Sequence, residues 1–150
     1  MKHGWLSGVA PATEKTSLMS EEPRIALLVI DHGSRQVESN MALDQTVREV
    51  QTQCAGRYVV VLAAHMDVLS PSIGEAFDAA VAAGAIHVVA ALYLLAPGRH
   101  AQQDVPRLLA EAAERHPGVG FTVTDALGPD PMLAELVLRR AEKAWKDRNF

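Results

Sequence analysis

The amino-acid sequence predicts an α/β fold with a four-stranded parallel sheet and helices on both faces of that sheet. Four short apolar runs alternate with four segments that are long enough to form helices. A continuous apolar run is typical of a strand that is buried on both faces, and strands that alternate with helices pair in parallel. The expected order is therefore β-α-β-α-β-α-β-α.

The apolar runs are the predicted strands, and the second is rich in β-branched residues. In chain order they are RIALLVI at 24–30, RYVVVLAAH at 57–65, AIHVVAALYLL at 85–95 and the weaker VGFTVTDAL at 119–127. The intervening segments are the predicted helices, at 36–54, 72–83, 104–116 and 131–146.

Helix starts are predicted from residues that cap helices and from proline, which is favoured in the first turn. The candidate caps are Ser70 before Pro71, Asp104 shortly before Pro106, and Asp130 before Pro131. Glycine after a helix predicts its end, and the candidates are Gly84 and the triplet at 116–118.

Composition limits the class of protein. A chain of 150 residues is the size of one domain, so a tandem two-domain enzyme is excluded. Cys54 is the single cysteine, which excludes a disulfide scaffold and a Cys₄ zinc site. The formal charge of −4, without a Lys/Arg cluster, argues against nucleic-acid binding. No apolar run is long enough to span a membrane.

The first 23 residues have no sustained hydrophobic period. They lack the apolar stretch of a secretory signal, and they carry acidic residues that a transit peptide avoids. We therefore expect 1–23 to be a flexible N-terminal extension, 24–150 to form the folded domain, and the protein to be cytoplasmic.

The loops that follow the strands carry the candidate chemistry. In parallel α/β sheets these loops meet at one rim, where ligands bind. The four loops are DHGSR at 31–35, HMD at 65–67, APGRH at 96–100 and LGPD at 127–130. Histidine and carboxylate groups from separate loops can form an open metal site or an acid–base site, and guanidinium groups pair with carboxylates. The candidates are His32, His65, His100, Asp31, Asp67, Arg35 and Arg99, with Arg107 as a further cation near the rim.

The other histidines and the cysteine have structural explanations. His3 lies in the extension, His87 opens a strand, and His116 ends a helix, where a cation favours the helix dipole. Cys54 is expected to fill apolar space. Motifs for a dinucleotide loop, a P-loop, a zincin and a nucleophile elbow are all absent.

The four loops resemble those of the short sirohydrochlorin chelatases. The matching segments are DHGSR with ESN at 38–40, AHMD at 64–67 with SPS at 70–72, PGRH at 97–100 with DVP at 104–106, and LGP at 127–129. The resemblance runs in register from about 24 to 140. The DHGSR and PGRH motifs are most similar to those of the plant and cyanobacterial-type ferrochelatases. The broader family includes cobaltochelatases. It implies a chelatase-like domain of flavodoxin-like shape.

The resemblance implies insertion of Fe²⁺ or Co²⁺, or Ni²⁺, into sirohydrochlorin for siroheme or cobalamin synthesis. It implies that His32 and His100 bind the metal and handle protons, with Asp67 assisting. The metal is then a substrate, and no permanently bound cofactor is expected. The acidic tetrapyrrole is expected to contact the rim residues, which are Arg35, Arg99, Ser34 and His65. For His65 the alternative stays open that it supports the residues that touch substrate without touching substrate itself.

The resemblance also implies a homodimer, since short members pair and larger chelatases look like fused pairs of this unit. Two features depart from relatives. Asp130 stands where many relatives have histidine, and a better helix cap explains it. No cysteine follows Cys54, so we expect none of the cysteine-bound clusters that plant relatives can carry near the C-terminus.

Two other functions fit parts of the sequence. A tetrapyrrole or metal carrier would need the same residues as a chelatase and would differ only by lacking turnover. A phosphate-handling α/β domain has fold analogy alone in its favour, and the absence of a phosphate loop and of any lysine between Lys15 and Lys143 counts against it.

Overall fold

Four parallel strands form the centre of the protein, whose computed structural model describes residues 24–67 and 69–148. The strands are β1 (Ile25–Asp31), β2 (Val60–His65), β3 (His87–Leu92) and β4 (Gly120–Ala126). The helices are α1 (Val37–Cys54), α2 (Ile73–Ala82), α3 (Arg99–Glu114) and α4 (Pro131–Lys146). The strand order is β2-β1-β3-β4, which confirms the predicted four-stranded parallel sheet. The expected extension at 1–23 lies outside the described residues.

The central strand β1 explains why its sequence is apolar without interruption. It pairs with β2 on one side and with β3 on the other, and the five residues from Ala26 to Ile30 are all buried. The register aligns Asp31 with His65, the last residues of β1 and β2. The ends of these two strands therefore bring an acid and a histidine to the same level of the sheet.

Helices cover both faces of the sheet, as predicted. On one face α2 and α3 contribute Phe77 and Leu109, which are fully buried against Leu28. On the other face α1 contributes Leu43 and Val47. α4 differs from the other three helices, because none of its residues is buried. Among the described helices, none has both the length and the apolar character that a membrane crossing requires.

The start of α3 corrects the sequence prediction. The helix begins at Arg99 with Gly98 as its N-cap, five residues before the start predicted from Asp104 and Pro106. The sequence places Pro106 in a first turn, yet it lies inside the helix, where it cannot donate a hydrogen bond to the carbonyl four residues earlier. Packing of Val105 and Leu109 into the core outweighs that loss. The whole PGRH segment therefore belongs to the entrance of a long helix.

The predicted cap of α2 is also wrong, and that of α4 is confirmed. Ser72 caps α2 by accepting a hydrogen bond from the Glu75 backbone, and the Glu75 carboxylate accepts one from the Ser72 backbone. Ser70 instead donates its hydroxyl to the same carboxylate. Asp130 caps α4 by accepting from the Met132 backbone N–H at 2.7 Å.

An ionic cluster ties α2 to the end of α3. The Asp78 carboxylate contacts His116 Nε2 at 2.6 Å and Arg115 Nη2 at 2.9 Å. The hydrogen bond with His116, followed by the contact with Arg115, holds the pKa of Asp78 below its usual value of 3.8. His116 thus has a carboxylate partner, besides its position at a helix end.

Candidate functional site

The first loop of the site is organised around the carboxylate of Asp31. Its Oδ1 accepts a hydrogen bond from the Gly33 backbone N–H at 2.8 Å, which makes a tight turn with His32 at its middle. The same oxygen lies 2.6 Å from His65 Nδ1. One oxygen atom therefore contacts both the first loop and the second.

Backbone hydrogen bonds join these two loops as well. The Met66 N–H donates to the Asp31 carbonyl at 2.9 Å, and the Asp67 N–H donates to the His32 carbonyl at 3.2 Å. They continue the β1–β2 ladder by two residues beyond the strands. As a result His32 and Asp67, which are far apart in the sequence, lie in adjacent chain segments.

Gly33 permits this close approach. Its φ is +81°, a backbone conformation that L-residues with a side chain rarely adopt. A Cβ at this position would overlap the Asp67 carbonyl oxygen and would stand 3.2 Å from His65 Cβ. Glycine is therefore required here both by backbone conformation and by space.

His32 and Asp67 line one cavity of about 440 Å³. Both residues are exposed to solvent. The complete lining is His32, Met66, Asp67, Asp104, Arg107 and Leu108. The structure thus brings together two of the predicted site residues, from separate loops, with one wall formed by α3.

α3 contributes one wall of the cavity through Asp104, Arg107 and Leu108. This wall could not be identified from the sequence, because the sequence indicates Asp104 only as a helix cap and Arg107 only as a cation near the rim. Arg107 donates to Glu111 at 2.7 Å and lies 3.6 Å from Asp104. These contacts, the Glu111 hydrogen bond first, raise the pKa of Arg107 above its usual value, so Arg107 stays protonated beside two carboxylates. With the helix extended to Arg99, spacing of three to four residues would have revealed the wall.

The third histidine of the prediction lies at the entrance of α3. His100 is the second residue of the helix, one turn before Asp104, and its side chain is outside what the structure describes. Within the described side chains, no three histidine, cysteine, aspartate or glutamate groups converge closely enough to hold a metal ion. A metal site at His32 and Asp67 would therefore need a ligand beyond the described side chains.

The remaining predicted residues do not line this cavity. Arg35 is on the first loop and Arg99 is the first residue of α3, and neither lines the cavity. Ser34 is half-buried, and its hydroxyl oxygen accepts from the Gln36 backbone N–H at 3.1 Å. His65 is only 4% exposed, which leaves almost no surface for contact with a large ligand. The expected substrate contact by His65 thus disagrees with its burial.

A second cavity of about 510 Å³ lies between the start of α3 and the end of β4. Its lining is mainly apolar and includes Leu92, Leu94, Pro97, Ala101, Val123 and Pro129. Gly98, the N-cap of α3, and Ala101 and Gln102 in its first turn also line this cavity. α3 therefore borders both cavities: the first has four charged or histidine side chains among its six lining residues, and the second has mostly apolar residues together with Asp125.

Comparisons with known proteins agree with this architecture. A family model described as CbiX matches residues 26–144. The "Sirohydrochlorin ferrochelatase, chloroplastic" of Arabidopsis thaliana is 38% identical over 116 residues, which cover 77% of this chain. The "Sirohydrochlorin cobaltochelatase" of Methanosarcina barkeri is 30% identical over 129 residues, which cover 81% of this chain.

A solved structure of the sirohydrochlorin chelatase SirB from Bacillus subtilis subspecies spizizenii, in complex with cobalt, superposes with a TM-score of 0.73 at 25% identity and covers 79% of this chain. This chain matches 51% of the Arabidopsis protein and 50% of the Bacillus chain, but 97% of the Methanosarcina protein. Because the family model spans most of the described residues, the chain belongs to the CbiX family.

Proposed function

We propose that this protein inserts a divalent metal ion into sirohydrochlorin. The observation that carries the proposal is the meeting of His32 and Asp67 on one open cavity, at the rim where parallel α/β sheets bind ligands. The names of the Arabidopsis and Methanosarcina relatives support the same reaction. The substrates are then the tetrapyrrole and the metal ion.

The reaction needs groups that hold a metal ion briefly and accept two pyrrole protons. A neutral imidazole does either at cellular pH, and a carboxylate adds charge without the tight binding that a thiolate would bring. We assign metal contact and proton acceptance to His32 and His100, with Asp67 as an auxiliary ligand. The exposure of His32 and Asp67 suits an ion that must enter and leave.

The metal is Fe²⁺ or Co²⁺ in this proposal. The Arabidopsis relative is named a ferrochelatase and the Methanosarcina relative a cobaltochelatase. Imidazole and carboxylate ligands suit both ions. The greater identity with the ferrochelatase favours iron. The Arabidopsis relative is named chloroplastic, so the expected cytoplasmic location remains a prediction.

The test is an anaerobic insertion assay with purified protein, sirohydrochlorin and either Fe²⁺ or Co²⁺. We expect the metal-free spectrum to disappear much faster than in a protein-free control, and the ratio of the two rates to identify the preferred metal. Binding of the tetrapyrrole without any rate increase would contradict the proposal and would identify a carrier instead.

The arginines of the rim are proposed to hold the carboxylates of the tetrapyrrole. Replacing Arg35 and Arg99 together by glutamine should raise the KM for sirohydrochlorin about 5- to 10-fold and change kcat little, since two partly solvated ion pairs are lost. The matched control removes the same charge elsewhere, through Arg48→Gln with Arg57→Gln. An unchanged KM in the rim variant, or an equal rise in the control, would remove these arginines from substrate binding.

We also propose that two copies of the chain pair through α4. Val137, Leu138 and Trp145 are 63–66% exposed and recur at helical spacing around Ala141. The sheet has an incompletely covered area, where Val89 and Thr122 pair on the face that α1 covers elsewhere. The matched Arabidopsis and Bacillus chains carry about as much sequence again outside the match, which is consistent with a second body beside this one.

A second copy accounts for both unpartnered surfaces at once. If α4 of each copy covers that sheet area of the other, two equivalent contacts form, as two-fold symmetry requires. A stable interface buries roughly 1,200–2,000 Å² in total, and the pairing proposed here divides that area between two helix-on-sheet contacts. The charged residues Arg139 and Lys146 then remain on the outer side of α4.

Sedimentation velocity at micromolar concentration tests this pairing. We expect a dimer for the full chain and a monomer for Val137→Asp with Leu138→Asp, since two carboxylates cannot be buried unpaired in an apolar contact. The control, Arg139→Asp with Lys146→Asp, alters charge on the other side of the helix and should remain dimeric. A monomeric wild type, or a dimeric apolar-face variant, would contradict the proposal.

A further inference from the structure

The histidine at the end of β2 is the one buried polar or charged residue among the described residues. His65 is 4% exposed, and Asp31, its partner, is 19% exposed. A buried polar side chain is costly unless it is hydrogen-bonded, so its partner indicates what it does. The partner of His65 is the Asp31 carboxylate on the neighbouring strand. His65 does not line the cavity that contains His32.

The direction of the hydrogen bond follows from the other contacts of the carboxylate. Asp31 Oδ1 already accepts from the Gly33 backbone N–H, and a carboxylate offers only acceptor sites. Nδ1 of His65 therefore carries the proton and donates it to Asp31 across 2.6 Å. The result is a chain of contacts that runs from the β2 strand end, through one oxygen atom, to the turn that holds His32.

The same pair is anchored on both strands. The His65 backbone N–H donates to the Pro71 carbonyl at 2.9 Å. This hydrogen bond joins the end of β2 to the chain segment that leads into α2. The Met66 N–H donates to the Asp31 carbonyl on the other side. Movement of the Asp31 side chain would therefore be transmitted to both loops, since each is bonded to it directly or through His65.

We infer that Asp31 and His65 form a positioning pair that fixes His32 relative to Asp67. The pair acts below the surface, holding the turn at Gly33 against the second loop so that the two functional side chains share one cavity. This inference rests on the proposed metal-handling role of His32 and Asp67. It assigns His65 the role of positioning His32 and Asp67, in place of contact with substrate.

Substitutions of matched size separate the hydrogen bond from simple packing. His65→Phe keeps a planar ring but removes the donor, whereas His65→Asn places an amide N–H near the position of Nδ1. We expect His65→Phe to lower both the affinity for Co²⁺ and the kcat of insertion about 10- to 100-fold, the usual cost of losing a group that orients metal ligands. The KM for sirohydrochlorin should change less than threefold, and the His65→Asn variant should recover most of the loss.

A matched control and a double-mutant cycle complete the test. His87 also bonds a neighbouring strand, through Thr122 Oγ1 at 2.8 Å, but it is the first residue of β3, at the end of the strand away from the rim. His87→Phe should therefore leave Co²⁺ affinity unchanged. If His65 acts through the position of Asp67, His65→Phe should have a much smaller effect on Co²⁺ affinity in an Asp67→Ala background than in the wild type. Full additivity would overturn the inference, and so would a His65→Asn variant as impaired as His65→Phe.

Circular dichroism and urea unfolding show whether the variants fold. Should His65→Phe fail to fold, the folded His65→Asn variant still decides: wild-type-like affinity supports the pair, and a loss equal to that of Asp67→Ala contradicts it. Co²⁺ affinity is measured without the tetrapyrrole, so it tests the pair even if no insertion occurs. Insertion by the wild type together with unaltered variants would instead overturn the pair alone and leave the proposed function intact.

Discussion

Replacement of His32 by alanine should lower the kcat of metal insertion by roughly 10²- to 10⁴-fold, the range that proton-transfer groups contribute. His32 is expected to suffer the largest loss because it is the exposed imidazole on the polar cavity and the neighbour of Asp67. The side chain is exposed, so its truncation should cost little folding free energy. The anaerobic assay with Fe²⁺ or Co²⁺ measures the rate, and thermal unfolding checks the fold.

The control for this substitution is another histidine with no position on the rim. His87→Ala removes an imidazole that bonds Thr122 at the start of β3, away from the rim, and its kcat should stay within about a factor of two of wild type. His100→Ala provides the companion experiment and should resemble His32→Ala. An enzyme that keeps more than about a tenth of its kcat without His32 would remove that residue from the chemistry.

Gly33→Ala should disturb both stability and the site. Two costs add: a positive φ costs an L-residue about 1–2 kcal/mol, and the new Cβ would overlap the Asp67 carbonyl, for which overpacking costs about 1–3 kcal/mol. We therefore expect a decrease of roughly 2–5 kcal/mol in the free energy of unfolding. Because the contact is with the Asp67 backbone, Co²⁺ affinity should fall as well. Urea unfolding and metal titration measure the two effects.

Gly56→Ala is a closely matched control. Gly56 has a φ of +78°, against +81° for Gly33, and a Cβ there would meet nothing within 4 Å. The same change of residue also cancels the effect of alanine on the unfolded chain. The control should lose only about 1–2 kcal/mol and keep its Co²⁺ affinity. Equal destabilisation of the two variants would show that the loops at Gly33 can separate freely.

The predicted elements agree with the structure where apolar runs and helix-length segments alternate. β1 and α4 lie within one residue of their predicted bounds, because RIALLVI is bounded by charged residues and Asp130 with Pro131 marks a helix start. The start of α3 differs from its prediction by five residues, because Pro106, a residue typical of a first turn, lies inside the helix. A local signal is overridden there by burial of Val105 and Leu109.

The sequence by itself determined the parallel α/β architecture and the rim on which the candidate residues lie, and its loop motifs carry the resemblance to chelatases. The architecture and the rim follow from hydrophobic pattern and strand-end position, which are local properties of the chain. Only the tertiary structure decided that Asp31 bonds to His65 beneath the rim, that α3 supplies Asp104 and Arg107 to the cavity of His32, and that no residue of α4 is buried. Each of these depends on how elements distant in sequence are aligned, and strand register and helix length set that alignment through contacts that no single segment encodes.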